Sequence, residues 1–217
     1  MALNSSLLLL LLCYVLAIVN AADPDPLQDF CVAHLSKDLT INGFPCKDAS
    51  AATTEDFIFA ALKNPGNTSN PFGVGVVPGS VREYPGLNTL GISIARLDFA
   101  VGGLTPPHTH PRASEIIYVV TGSLYAGFVS TDNRVFARVI TEGEVMMFPR
   151  GLIHWQLNVG KSTATGIVTL NSQSPGFQFV ANSLFGSGDI LDEVLVKSFF
   201  LDENTVREIK SIFASSS

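Results

Sequence analysis

Between residues 90 and 180 the chain breaks into short β-favouring runs at intervals near ten residues, and this regularity constrains the fold more than any other feature. The runs are 92–99, 115–120, 123–129, 135–140, 145–148, 154–159, 163–170 and 177–180. Between them stand turn residues such as Gly102-Gly103, Asp132-Asn133, Pro149-Arg150-Gly151 and Ser174-Pro175-Gly176. Short strands with such even punctuation close on one another as a sandwich or barrel, and a jelly roll is the usual solution. An all-β fold in a single domain is therefore expected.

The flanks differ. Thr53-Thr54-Glu55-Asp56, followed by Phe57, Ile58, Ala60, Ala61 and Leu62, reads as a short capped helix. After Gly186-Ser187-Gly188 the apolar period becomes helical, with Leu191, Val194, Leu195 and Phe199 on one segment and Val206, Ile209, Ile212 and Phe213 on the next. Asp202 or Asn204 supplies the break and cap. These two amphipathic helices need a surface, either their own barrel or a neighbouring subunit.

At the amino terminus, residues 7–19 form an uncharged apolar run of 13, followed by Asn20-Ala21-Ala22 and the acidic, proline-rich Asp23-Pro24-Asp25-Pro26. A span needs about 20 apolar residues, so the run reads as a cleaved secretory signal over 1–22, ending at Ala21 or Ala22. Export leaves Cys31 and Cys46 as the thiols of the mature chain. They are either one disulfide, contributing roughly 3 kcal/mol across its loop, or two buried free thiols. The sequon Asn67-Thr68-Ser69 lies in a Gly/Pro/Asn-rich stretch and is expected on an exposed, glycosylated loop. With 19 acidic against 13 basic residues the net charge is −6, which argues against nucleic acid or anionic lipid as a partner. No membrane association is expected after signal cleavage.

Three of the four histidines fall in two neighbouring segments. His108 and His110 are two apart, so on an extended strand both imidazoles leave the same face. Glu115 is at an odd offset from His110 and requires a bend, for which Pro111 gives a place. His154 follows a Pro-x-Gly turn, with Gln156 and Asn158 on its face. Three neutral imidazoles and one carboxylate suit Mn, Fe, Ni, Cu or Zn, and with six-coordination leave two open positions for substrate or water. His34 stands alone and is read as structural. Trp155, pointing away from His154, is read as barrel packing, and Arg112 and Arg150 as rim or interface residues.

Gly102, His108, His110, Glu115 and Gly122 fill G-x5-H-x-H-x4-E-x6-G, which resembles the first cupin motif. Gly143, Pro149, Gly151, His154 and Asn158 fill G-x5-P-x-G-x2-H-x3-N, which resembles the second. The segments Asp23–Ala33, Gly66–Asn70 and Pro107–Ala113 narrow the resemblance to the germin and germin-like proteins of plants. The resemblance covers essentially the whole mature chain. It implies a single-domain β-jelly roll, manganese held by His108, His110, Glu115 and His154, and a Cys31–Cys46 bridge. It further implies secretion to the apoplast or cell wall and a homohexamer built as a trimer of dimers, with the C-terminal helices clasping neighbours. The domain plan is then signal peptide 1–22, N-terminal arm 23–89, cupin barrel 90–185 and oligomer-contact helices 186–217. Phe185–Ile190 lacks the proline-rich loop that many germins carry there, which bears on the detail of the clasp.

Germins proper resemble oxalate oxidases, in which two asparagines beside the metal hold the substrate; here those positions carry Ala95 and Thr105. A buried dianion needs matched donors, so oxalate oxidation is disfavoured. The leading expectation is a manganese superoxide dismutase linked to defence or wall development. The alternative is a non-enzymatic wall glycoprotein or a binder of a small carboxylate such as auxin. Hydrolysis of nucleotide sugars, known in some relatives, has no feature here that selects it.

Overall fold

The computed structural model describes Phe44, Ser50 and residues 52–214. The signal segment, His34, Cys31 and Cys46 lie outside the described residues.

Among the described residues, ten strands form two five-stranded antiparallel sheets. They are β1 (Val74–Gly79), β2 (Ser93–Phe99), β3 (Leu104–Thr109), β4 (Glu115–Thr121), β5 (Ser123–Val129), β6 (Val135–Thr141), β7 (Val145–Phe148), β8 (His154–Asn158), β9 (Ala164–Leu170) and β10 (Gln178–Phe179). One sheet has the order β1-β2-β9-β4-β7 and the other β10-β3-β8-β5-β6. Alternation along each strand sends one set of side chains inward. Phe99, Ile117, Val119, Leu124, Ala126, Ile140, Phe148 and Ala164 are almost wholly buried between the sheets. Each large one stabilises the fold by about 1.5–3 kcal/mol through burial. Gly122 makes the one-residue switch from β4 to β5 at φ +91°, and a Cβ there would meet that of Ala164 at 2.5 Å.

Two strands depart from the sequence expectation. β1 lies within residues 23–89, assigned above to the arm, yet it pairs with β2 along its whole length, so the barrel begins before residue 90. Its Pro78 is tolerated because β1 is an edge strand, where a missing N–H costs no ladder bond. β3, paired on both sides by β10 and β8, is absent from the runs given above, and its Pro106-Pro107 are accommodated as a bulge.

The helix expected at 53–62 is two separate single turns, Thr54–Phe57 and Ala61–Lys63, with Ile58 extended between them. The Asp56 carboxylate accepts the Thr53 N–H at 2.7 Å, closing the first turn. Phe59 then stacks on Tyr84 at 5.2 Å and lies against Gly79, which draws the chain out of helical path. Phe57 and Ile58 stay exposed, so no packing holds a longer helix together.

The C-terminal pair forms as expected, α1 (Asp192–Phe199) and α2 (Glu203–Ala214). Asp202 is the cap, its carboxylate accepting the Thr205 N–H at 3.0 Å. Leu195, Val206 and Phe185 bury one another in a small core of their own, with Leu184, Ile209 and Phe213 around it. The helices thus pack on each other and on the 182–186 turn. Leu191, Val194, Phe199 and Phe200 face outward and exposed.

Candidate metal centre

The centre is assembled from both sheets. On β3 the register shifts between Thr105 and His108, where Pro106-Pro107 insert a bulge. That shift lets two residues at an odd offset both face inward: Thr105 stands opposite Gln156 and His108 opposite His154. His110 follows the end of the strand, and its carbonyl accepts the Gly151 N–H at 3.1 Å, tying the two motif segments together. The chain then turns at Pro111-Arg112 and enters the opposite sheet, where Glu115 is the first residue of β4. The bend expected from the offset is thus a crossing between sheets.

His108, His110, Glu115 and His154 are all buried, and their donor atoms lie within 4.8 Å of one another. A backbone carbonyl fixes each ring: His108 Nδ1 on Pro106 at 2.8 Å, His110 Nδ1 on Gly176 at 2.5 Å, and His154 Nδ1 on Leu152 at 2.8 Å. Carbonyls only accept, so each Nδ1 carries a proton and Nε2 is the atom turned to the centre. Stacking holds the planes. Phe148 lies on His154 at 4.5 Å and Phe177 on His108 at 4.6 Å.

Protonation follows from burial and neighbours. Desolvation pushes His108 down to about 3, and the adjacent His154 adds to the fall. Burial disfavours the ionised form of Glu115, but the His110 and His154 imidazoles that face it outweigh this and hold the carboxyl at about 2. At neutral pH His108 is therefore a neutral imidazole and Glu115 a carboxylate, the forms in which both ligate a cation. Glu115 Oε2 is 2.7 Å from His110 Nε2, and Glu115 Oε1 accepts from Gln156 Nε2 at 3.3 Å. His154 Nε2 is buried with no hydrogen-bond partner. An orphaned nitrogen beside two further imidazoles and a carboxylate fits a metal ion, which would satisfy all four donors at once.

Beside the cluster lies a cavity of about 320 Å3 bordered by His108, His110 and Glu115. Ala95 and Thr105, the two positions singled out in the sequence, both line it. Sequence reasoning passed over Ser93, which lines it too; its two-residue offset from Ala95 on β2 was the available signal. Phe177 was also passed over, since nothing marks a lone aromatic after a Pro-Gly turn as a ring support.

The other residues singled out have structural work. Asn158 donates to Ala100 and Ser162 carbonyls at 2.8 Å each and accepts from Gly160 N–H, so it ends β8 rather than facing the cluster. Gln156, by contrast, is in the site. Trp155 faces outward near Tyr125. Arg150 Nε donates to the Pro111 carbonyl at 3.0 Å, bracing the same turn that carries His110. Arg112 Nε donates to the Ser174 carbonyl at 2.7 Å and its side chain borders the cavity. Asn67 is exposed in a turn in which its Oδ1 accepts the Ser69 N–H.

The Cupin family model matches residues 60–207. Germin-like protein 1-1 of Oryza sativa subsp. japonica is 50% identical over 194 residues, 89% of each chain. Germin-like protein subfamily 2 member 1 of Arabidopsis thaliana is 47% identical over 209 residues, 96% of this chain and 95% of that one. Among solved structures, one of oxalate oxidase superposes with a TM-score of 0.81 at 46% identity, covering 90% of this chain and 100% of the other.

Proposed function

Because the chain belongs to the cupin family, and within it to the germin-like proteins, we propose that it is a secreted manganese protein that dismutates superoxide outside the cell. The observation that carries the metal part is the set of three Nδ1-anchored imidazoles and an ionised Glu115 meeting around the orphaned Nε2 of His154. Bound there, manganese would supply one-electron redox chemistry between its divalent and trivalent states. Two superoxide ions and two protons then give one oxygen and one hydrogen peroxide.

The chain's own residues supply position and exclusion. Gln156 holds Glu115 by its amide N–H, and the stacked Phe148 and Phe177 keep two imidazole planes fixed. The apolar rings and the barrel core withhold water from the back of the cluster, which strengthens every polar contact inside. The choice against oxalate oxidation rests on Ala95 and Thr105, which border the cavity without an amide between them. Superoxide needs few contacts, so the missing amides do not count against it.

A second reading, ligand capture without turnover, is favoured by the size of the cavity, which far exceeds what a diatomic substrate needs. In either case the mature protein is read as a cell-wall or apoplastic glycoprotein, sugar-bearing at Asn67. It is also read as a homohexamer, in which the exposed faces of α1 and α2 meet neighbouring subunits.

The test is superoxide dismutation by the purified secreted protein, with metal content measured on the same sample and His108→Ala beside it. Near-stoichiometric manganese with activity, both lost in the variant, is the expected result. Manganese bound with no rate above that of the free ion would overturn the dismutase reading.

A further inference from the structure

The cavity holds three buried polar atoms that nothing among the described residues satisfies: Ser93 Oγ, Thr105 Oγ1 and Gln156 Oε1. Each residue is at least 95% buried. A buried polar atom left without a partner costs stability, so three bordering one space indicate a ligand that completes them. Their chemistry specifies it. The Gln156 amide must turn its N–H toward Glu115, because its carbonyl oxygen has no proton to give a carboxylate, and this leaves Oε1 as an acceptor that requires an O–H or N–H. Ser93 and Thr105 are hydroxyls and donate readily to a carboxylate.

One stretch of the wall is apolar, formed by Ala95, Leu97, Val168 and Leu170 from β2 and β9. Apart from the candidate metal ligands, Arg112 is the one ionisable side chain in the wall among the described residues, and it is engaged with the Ser174 carbonyl. The β2–β9 stretch of the wall carries no charge, so the part of a ligand that lies on it must be apolar. A second carboxylate laid against that stretch would carry a heavy desolvation cost.

We infer that this site takes a small 2-hydroxy monocarboxylate bearing an apolar side chain. Its carboxylate is held by the metal and by the Ser93 and Thr105 hydroxyls. Its hydroxyl donates to Gln156 Oε1, and its side chain lies on Ala95, Leu97, Val168 and Leu170. The assignment rests on the metal reading of His108, His110, Glu115 and His154 and goes beyond it in naming the ligand.

The test is calorimetric titration of the purified, manganese-loaded protein, with metal content determined before and after. The probes are 2-hydroxy-4-methylpentanoate, 4-methylpentanoate, glycolate and oxalate. The hydroxy acid with the branched chain should bind tightest. Loss of its hydroxyl should weaken binding about tenfold, the worth of one hydrogen bond to a buried acceptor. Glycolate, without the apolar chain, should be weaker by about tenfold or more. Thr105→Val, which keeps the shape and removes the hydroxyl, should weaken both branched acids about tenfold without changing metal content. Oxalate binding tightest, equal binding of the two branched acids, or no binding to metal-loaded protein overturns this inference alone. A protein that cannot be loaded with metal overturns the metal reading and this inference with it.

Discussion

If a cation joins His108 and His154 on one sheet to Glu115 on the other, its removal must loosen the barrel as a whole, because the folded state alone presents the four donors together. Binding to the native state stabilises it by RT ln(1 + [M]/Kd), about 3–4 kcal/mol when free metal exceeds Kd by 100- to 1,000-fold. In a domain of this size each kcal/mol moves the midpoint by roughly 2–4 °C, so stripping the metal should lower Tm by roughly 6–16 °C. The assay is thermal unfolding followed by circular dichroism, before and after chelation, with metal content measured on each sample. His108→Ala supplies the second arm. It removes an almost fully buried ring that stacks with Phe177 and His154, and its melting temperature should be low and unmoved by chelator. A wild-type protein whose metal content falls while its Tm stays put would refute the reasoning, since the donors would then not be coupled to folding.

Ala95→Asn combined with Thr105→Asn should add two amides to the cavity wall and strengthen oxalate binding by about tenfold or more, read by calorimetry on metal-loaded protein. Burial raises Asp98, but bonds from Arg96, the Gly66 N–H and Thr165 outweigh it and hold the carboxyl below its ordinary value. Its contribution is thus fully present above the ordinary carboxylate pKa and lost as pH falls through the lower folded value; Asp98→Asn should flatten the acid limb of a Tm-against-pH curve. Leu195→Ala opens a hole in the separate core of α1 and α2 and should cost about 2–5 kcal/mol there. Limited proteolysis should then cut first after residue 184, with the metal content of the barrel unchanged.

The strands legible in the sequence were those whose apolar residues alternate between turn signals, such as β4, with Glu115, Ile117 and Val119 inward. Those that escaped carry proline. Val74–Gly79 falls in the N-terminal arm of the sequence plan, and Leu104–Thr109 is not among the strand runs although His108 and His110 read as extended; β1 tolerates Pro78 as an edge and β3 uses its two prolines as a bulge. The 53–62 segment failed in the opposite direction. Its cap residues are right for a helix, but the docking of Phe59 beside Gly79 is a tertiary contact that no local pattern contains.

The same division runs through the site. Its donors were legible because coordination demands residue types at fixed spacings, and two of the four come from one five-residue neighbourhood around Pro107. The wall was not, because Ser93, Leu97, Val168 and Leu170 come from two paired strands some 70 residues apart in sequence, joined through the β2–β9 register. That register sets Ser93 opposite Leu170 and Ala95 opposite Val168, so one face of one strand pair supplies both an unsatisfied hydroxyl and the apolar surface beside it. On the proposed reading, metal binding is carried by motif residues, whereas ligand choice is carried by residues whose spacing obeys only strand alternation. A chain keeping His108, His110, Glu115 and His154 unaltered is then expected to change its ligand by exchanges at 95 and 105. Oxalate oxidase and this protein share a backbone at a TM-score of 0.81, so on the proposed reading a difference in ligand would lie in side chains such as those of that wall.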